Sequence, residues 1–267
     1  PDDVVGLHFF SPANVMKLLE IVRAKFTSDV VVASCFELAG RINKVPALVG
    51  VCPGFVGNRI LFERQKQALN LIYQGIMPWE VDKALNEFGF KMGPFQMSDL
   101  AGLDIGWKKG AVTSNKIRDT LCELDRRGQK TGAGYYDYDE NRVPRISKIT
   151  ENIIKDITGH KESIKKETNE IIELCIFPMI NEALKILDEG MAQRPSDIDV
   201  VWLNGYGFPR NKGGLLFWAD QIGSEKILAS LTDMNEQGYD IEISDLLRKI
   251  CRNKKNILDF VDQQVTV

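Results

Sequence analysis

One half of this sequence recurs in the other, and that restricts the possible folds more than any single motif. Ala68-Leu69-x-Leu71-Ile72-x-x-Gly75 returns as Ala183-Leu184-x-Ile186-Leu187-x-x-Gly190, a shift of 115 residues. Val81-Asp82 returns as Ile198-Asp199, Phe88-Gly89-Phe90 as Tyr206-Gly207-Phe208, and Ser98-Asp99 as Ala219-Asp220. Solenoid repeats have periods of ~20–50 residues, so a period this long predicts two packed globular modules and not an array. The repeated unit is helical. Arg59 to Gln74 carries apolar residues at helical spacing and ends at Gly75, and Pro78 opens a second helix whose apolar face (Val81, Ala84, Leu85, Phe88) stops at Gly89.

The first fifty residues read differently. Val4 to Phe10 and Val15 to Val22 are apolar runs separated by the turn Ser11-Pro12-Ala13-Asn14, which predicts strand, turn, strand. Asp29 to Ile42 has helical spacing behind an Asp that can cap, and Val45 to Val51 is a short buried-strand pattern. This region is α/β, and helices take over after Cys52-Pro53-Gly54. Lys130 to Tyr138 is too rich in Gly and Tyr for a helix, Asp139 to Arg145 reads as a linker, and Glu151 to Asn169 as a helix and a loop joining the modules. The expected segments are therefore 1–52, 53–145 and 146–267.

Composition excludes several function classes. Thirty-four Lys+Arg against 37 Asp+Glu leave a net charge of −3, with no field to hold a nucleic acid by counterion release. The longest apolar stretches are broken well before 18 residues, so no membrane span is expected. Five cysteines lie far apart without a Cys-x-x-Cys, which indicates neither a disulfide framework nor a zinc site, and no metal is expected. The chain opens at Pro1 and runs almost at once into a strand, as a piece of something longer would.

Only His8 and His160 can supply imidazole chemistry, and His160, in a charged stretch, reads as a surface-loop residue. If the first two strands fold back about residue 14, opposed positions sum to 28 and His8 faces Glu20. A carboxylate on one ring nitrogen fixes the tautomer and leaves the other nitrogen to take a proton from a hydroxyl. On spacing alone, a half-buried strand histidine beside a solvated glutamate stands as the alternative. Asn58 follows a Gly-containing turn at a helix N-terminus, where it could meet a polar ligand atom or simply cap the helix. No Gly-x-Gly-x-x-Gly occurs anywhere, and Gly132-x-Gly134 lacks the context of a dinucleotide loop.

Four segments carry a resemblance. Gly6-Leu7-His8-Phe9-Phe10-Ser11-Pro12 with Val15-Met16-x-Leu18-x-Glu20, Pro53-Gly54-Phe55-Val56-x-Asn58-Arg59, Gly93-Pro94-Phe95 with Asp99-x-x-Gly102-x-Asp104, and Lys130-Thr131-Gly132-x-Gly134-Tyr135-Tyr136 together resemble 3-hydroxyacyl-CoA dehydrogenases. The resemblance implies a mainly α chain: the last strands of a Rossmann-type α/β domain (1–52), a first helical domain (53–145) and a second, duplicated one (146–267). It implies His8 as general base for a 3-hydroxyl, Glu20 as the group orienting it, and Asn58 as an amide near the substrate carbonyl. Ser11 stands where single-function members carry Asn in the cofactor site, and Lys130 matches a lysine reaching toward NAD.

Arg194-Pro195-Ser196-Asp197-Ile198-Asp199 followed by Gly205-Tyr206-Gly207-Phe208-Pro209-Arg210 is similar to the second C-terminal repeat of multifunctional β-oxidation enzymes, where a hydratase precedes the dehydrogenase. By that analogy the second repeat has no catalytic set of its own and supports the first. The family's Gly-rich cofactor loop lies before the point matching Pro1, so these residues alone are expected to be inactive. An acyl-CoA substrate and a homodimer through the helical domains are expected. A peroxisomal location is expected too, with mitochondrion or cytoplasm as alternatives, since the end Gln264-Val265-Thr266-Val267 is not Ser-Lys-Leu-like. The competing reading is a non-catalytic helical assembly module in which His8 and Glu20 are relics. Within the enzyme class, a 3-hydroxybutyryl-CoA or sugar-acid dehydrogenase stays open.

Overall fold

The computed structural model describes residues 1–110 and 112–259, so the closing Gln264–Val267 lies outside the described residues. The chain is mainly helical, with a small sheet near its start. Strands β1 (Val5–Phe9) and β2 (Leu18–Arg23) pair antiparallel, and β3 (Val45–Gly50) pairs parallel to β2 after the crossover helix α1 (Asp29–Arg41). The register sets His8 opposite Glu20, as the palindromic sum predicts. Ser28, not Asp29, caps α1, its hydroxyl accepting from the Val31 N–H, and Asp29 is a first-turn acid.

The central strand β2 is buried on both faces. Leu19 and Ile21 join Cys35 and Ala39 of α1 in one core cluster, with Val5, Leu7 and Leu48 packed against it. Leu18, Glu20 and Val22, also buried, point to the other face. A strand covered on both sides should be apolar throughout, so a carboxylate at position 20 needs partners.

Helix α2 runs Phe55–Tyr73 and begins four residues before the Arg59 expected from the sequence. Positive φ at Gly54 (76°) and Phe55 (51°) turns the chain into it. Asn58 is therefore inside the first turn and is not the cap. Helices α3 (Pro78–Phe88), α4 (Pro94–Ala101), α5 (Lys116–Glu123) and α6 (Lys148–Thr158) follow, then α7 (Thr168–Asp188), α8 (Pro195–Gly205), α9 (Leu215–Ile222), α10 (Ser224–Glu236) and α11 (Asp245–Asn253). The expected linker at 139–145 instead closes a two-residue strand pair, β4 (Asp137–Tyr138) with β5 (Pro144–Arg145). His160 is half-buried, and a Cβ on Gly75 would lie 2.8 Å from its ring, so it is a packed loop residue and not a freely solvated one.

Two compact units cut across the sequence segments: Pro1–Arg64 with Leu174–Val267, and Gln65–Glu173. The first unit thus contains the sheet, the start of α2 and most of the second repeat. α8 packs against β2 and β3, and the core of its helices holds Phe177, Ile180, Trp202, Leu215 and Leu231. The second unit is all helix apart from the small hairpin, with Leu71, Ile72, Val81, Leu85, Ile117, Leu121 and Ile154 at its centre. Among the described residues no helix is long and apolar enough to cross a membrane.

Candidate active site

Glu20 is fully buried and finds its partners on two other elements. Its Oε2 lies 2.6 Å from His8 Nδ1, and its Oε1 accepts the Gly57 N–H of the first turn of α2 at 2.9 Å. Free N–H groups at a helix start favour negative charge, so α2 offsets part of the cost of burying this carboxylate. Burial still pushes the Glu20 carboxyl above the usual range, against the hydrogen bonds from His8 and Gly57. The imidazole is 28 % exposed, and its Nδ1 is committed to Glu20. Nε2 is the nitrogen left for chemistry. Phe10 (ring centroids 4.7 Å apart) and Phe55 (5.3 Å) flank the ring and fix its plane.

Asn58 lies one residue beyond Gly57, half-buried, its Oδ1 accepting a hydrogen bond from the Tyr206 hydroxyl at 2.8 Å. Its neighbour Arg59 anchors the same helical turn to α7, donating to Glu182 at 2.6 Å and bidentately to Glu189 at 2.6 and 2.8 Å. Those bonds hold the guanidinium firmly charged and the Glu189 carboxyl below its ordinary value. His8, Glu20 and Asn58 are thus brought together around the N-terminus of α2, which sequence spacing could suggest only for the first two.

Ser11 is exposed on the loop leaving β1, whose path is held by Lys44 donating to the carbonyls of Ala13 and Met16. Lys130 belongs to the other compact unit, on a short 3-10 turn (Gln129–Thr131), exposed, with its Nζ 2.5 Å from Asp104. That ammonium holds the Asp104 carboxyl below its ordinary value. Buried Asp99 fastens the loop carrying Lys130: its carboxylate accepts the Tyr135 and Tyr136 N–H groups and the Tyr138 hydroxyl at 2.9–3.0 Å. Arg126 closes the loop from behind through the Gly134 carbonyl at 2.9 Å and Asp137 at 2.7 Å. A cavity of about 420 Å³ lined by Arg23, Lys25, Gly50 and Met191 does not include His8.

Sequence reasoning missed Tyr206 as part of this site. Its signal was available, because the repeat aligns it with Phe88, a ring without a hydroxyl.

A histidine–carboxylate pair held between an α/β sheet and a helix N-terminus is the equipment of acid–base chemistry on a hydroxyl or carbonyl group. Residues 1–52 match the profile of the 3-hydroxyacyl-CoA dehydrogenase NAD binding domain, and residues 54–138 and 171–257 each match that of the C-terminal domain. The chain belongs to the 3-hydroxyacyl-CoA dehydrogenase family. It is 44 % identical to the peroxisomal bifunctional enzyme of Homo sapiens over 94 % of its own length and 38 % of that protein's. For a peroxisomal fatty acid beta-oxidation multifunctional protein of Arabidopsis thaliana the figures are 36 %, 88 % and 35 %. The chain therefore spans less than two-fifths of the length of these relatives.

Among solved structures, the dehydrogenase part of a multifunctional enzyme from C. elegans superposes with a TM-score of 0.70 at 31 % identity, covering 93 % of this chain and 60 % of that one. A 3-hydroxybutyryl-CoA dehydrogenase from Escherichia coli shares the fold, with a TM-score of 0.71 at 23 % identity over 93 % and 70 % of the two chains.

Proposed function

We propose that, within the full-length polypeptide, these residues carry the acid–base half of an NAD-dependent (S)-3-hydroxyacyl-CoA dehydrogenase of fatty acid β-oxidation. The observation that carries the reading is the single carboxylate, Glu20, shared between His8 Nδ1 and the Gly57 N–H. The exposed Ser11 hydroxyl is a donor suited to a dinucleotide, and by the family resemblance Ser11 and, in the other compact unit, Lys130 are the residues that would hold NAD. NAD, when bound, supplies the acceptor for the hydride leaving C3. His8 Nε2 takes the 3-hydroxyl proton as that hydride departs, and returns it in the reverse direction. Glu20 keeps the proton on Nδ1 before the step and stabilises the imidazolium after it. Asn58 Nδ2 donates to the thioester carbonyl and fixes the acyl group against the imidazole.

The decisive test is His8→Ala in the intact protein, assayed by acetoacetyl-CoA reduction with NADH. Loss of a positioned acid–base group is expected to lower kcat by about 10²–10⁴-fold. The melting temperature should fall as well, because buried Glu20 loses one of its partners, so turnover is compared at a temperature where both proteins are folded; unaltered turnover would overturn the assignment. The 267 residues alone hold no Gly-x-Gly-x-x-Gly to cradle a pyrophosphate and are expected to be inactive in the same assay. The names of the relatives refer to peroxisomes and glyoxysomes, and we assign this protein to the same compartment, to be checked by co-localisation of the tagged protein with a peroxisomal marker. Association of two copies through the helical repeats is proposed as well, with sedimentation as its test.

A further inference from the structure

The second repeat reaches into the site through one side chain. Two close approaches hold it there. A Cβ on Gly57 would lie 2.6 Å from the Tyr206 ring, and one on Gly205 would lie 2.5 Å from the Leu18 side chain, so only glycines allow Tyr206 to sit against the first turn of α2. The ring is then boxed in. Trp202 stacks on it with centroids 4.6 Å apart, and Phe10, which also touches His8, meets it edge-on at 5.3 Å. From that position the phenol donates to Asn58 Oδ1 at 2.8 Å. The corresponding ring in the first repeat is Phe88, so the hydroxyl is peculiar to the second.

We infer that Tyr206 is a positioning residue for the reaction, setting the orientation of the Asn58 amide so that its NH₂ group, and not its oxygen, faces the acyl carbonyl. This rests on the reading of Asn58 given above. The last torsion of asparagine has two nearly equivalent settings that exchange a donor for an acceptor. In the structure the phenol donates to Oδ1, the setting that leaves Nδ2 to face the acyl carbonyl. Tyr206 can donate throughout the working pH range, because burial and the neighbouring Glu20 charge hold its hydroxyl far above the usual phenol range. A hydrogen bond received at Oδ1 also polarises the amide and strengthens its N–H groups as donors. The second repeat therefore does more than support the first: it completes the carbonyl-binding group.

The test is a double-mutant cycle of Tyr206→Phe and Asn58→Ala in the intact protein, with kcat and KM for acetoacetyl-CoA measured separately and melting followed in parallel. Y206F is expected to lower kcat about tenfold, the worth of a buried hydrogen bond strengthened in the transition state, with melting nearly unchanged. In the N58A background the same change should have no further effect. A slow N58A with a parent-like Y206F overturns this inference and spares the reading of Asn58. A parent-like N58A overturns that reading and the inference with it. An equal Y206F effect in both backgrounds assigns Tyr206 to packing and also overturns it. 3-Fluorotyrosine at 206 keeps the ring and its hydroxyl, so kcat should be held or raised; a fall as large as that of Y206F rejects the proposal whatever the stability of Y206F.

Discussion

The two repeats begin with the same device and then part. In the first, Asp82 of α3 receives the Phe95 and Gln96 N–H groups at the start of α4, both at 2.9 Å. In the second, Asp199 of α8 receives those of Leu216 and Phe217 at the start of α9, at 2.7 and 3.2 Å. Each capped helix has glycine at its N-cap, Gly93 or Gly214, where a side chain would collide with the aspartate at 2.3–2.4 Å. The cap is therefore supplied by the preceding helix, which locks two helices with one carboxylate. The next pair diverges. Asp99 is fully buried and holds the Tyr135–Tyr138 loop, whereas Asp220 is half-buried and, among the described residues, accepts the Leu258 N–H, at 3.3 Å. Shared residues mark what both modules need in order to fold. Residues that differ mark what each adds: a lysine-bearing loop in the first, a tyrosine hydroxyl in the second.

Substitutions at these aspartates can break that comparison. Asp99→Asn should have the largest effect, about 3 kcal/mol, because an amide cannot serve three donors to a fully buried side chain. Chemical denaturation measures it, and a cost below about 1 kcal/mol would mean that the loop is held by Arg126 instead. Asp82→Asn and Asp199→Asn should each cost about 1–2 kcal/mol as losses of a buried helix cap. D82N should be the costlier, since Asp82 also accepts the Tyr136 hydroxyl at 2.9 Å. A severe D82N beside a harmless D199N would show that the two caps are not equivalent.

Stability should also depend on pH. Burial pushes Asp99 and Asp199 each up to about 6 from an ordinary 3.8. Between those values the folded protein holds protons that the unfolded chain has released, so the stabilisation is complete near pH 4 and lost as pH rises through 6. At ~1.4 kcal/mol per pH unit each group would contribute up to about 3 kcal/mol across the window, and D199N should remove about half of the slope. Smallest of all, Asp220→Asn should stay within about 0.5 kcal/mol of the parent, as expected for a solvated carboxylate with one long bond.

Much of this was legible in the sequence because it is periodic. The duplication appears as a shift that grows only from 115 to 121 residues, the first two strands as apolar runs, and their register as a palindromic sum that sets His8 against Glu20. The start of α2 was misread, since Arg59 to Gln74 alone carries the periodic pattern and positive φ at Gly54 and Phe55 leaves no mark of that kind. Ser28 displaced Asp29 as the cap of α1 because either residue type suits the position, and only backbone geometry separates them. The strand pair within 137–145 is too short to show alternation.

Pattern along the chain was thus enough to determine that this protein has an α/β beginning and two related helical modules, and which imidazole and carboxyl groups could pair. Local forces govern those features, and local forces leave periodic marks. The tertiary structure alone decided that Glu20 also binds the start of α2, that one aspartate in each repeat caps a later helix, and that Tyr206 reaches Asn58 across 148 residues of chain. Each of those is a hydrogen bond between groups far apart in sequence, made because a buried polar atom must find a partner wherever the packing brings one within about 3 Å.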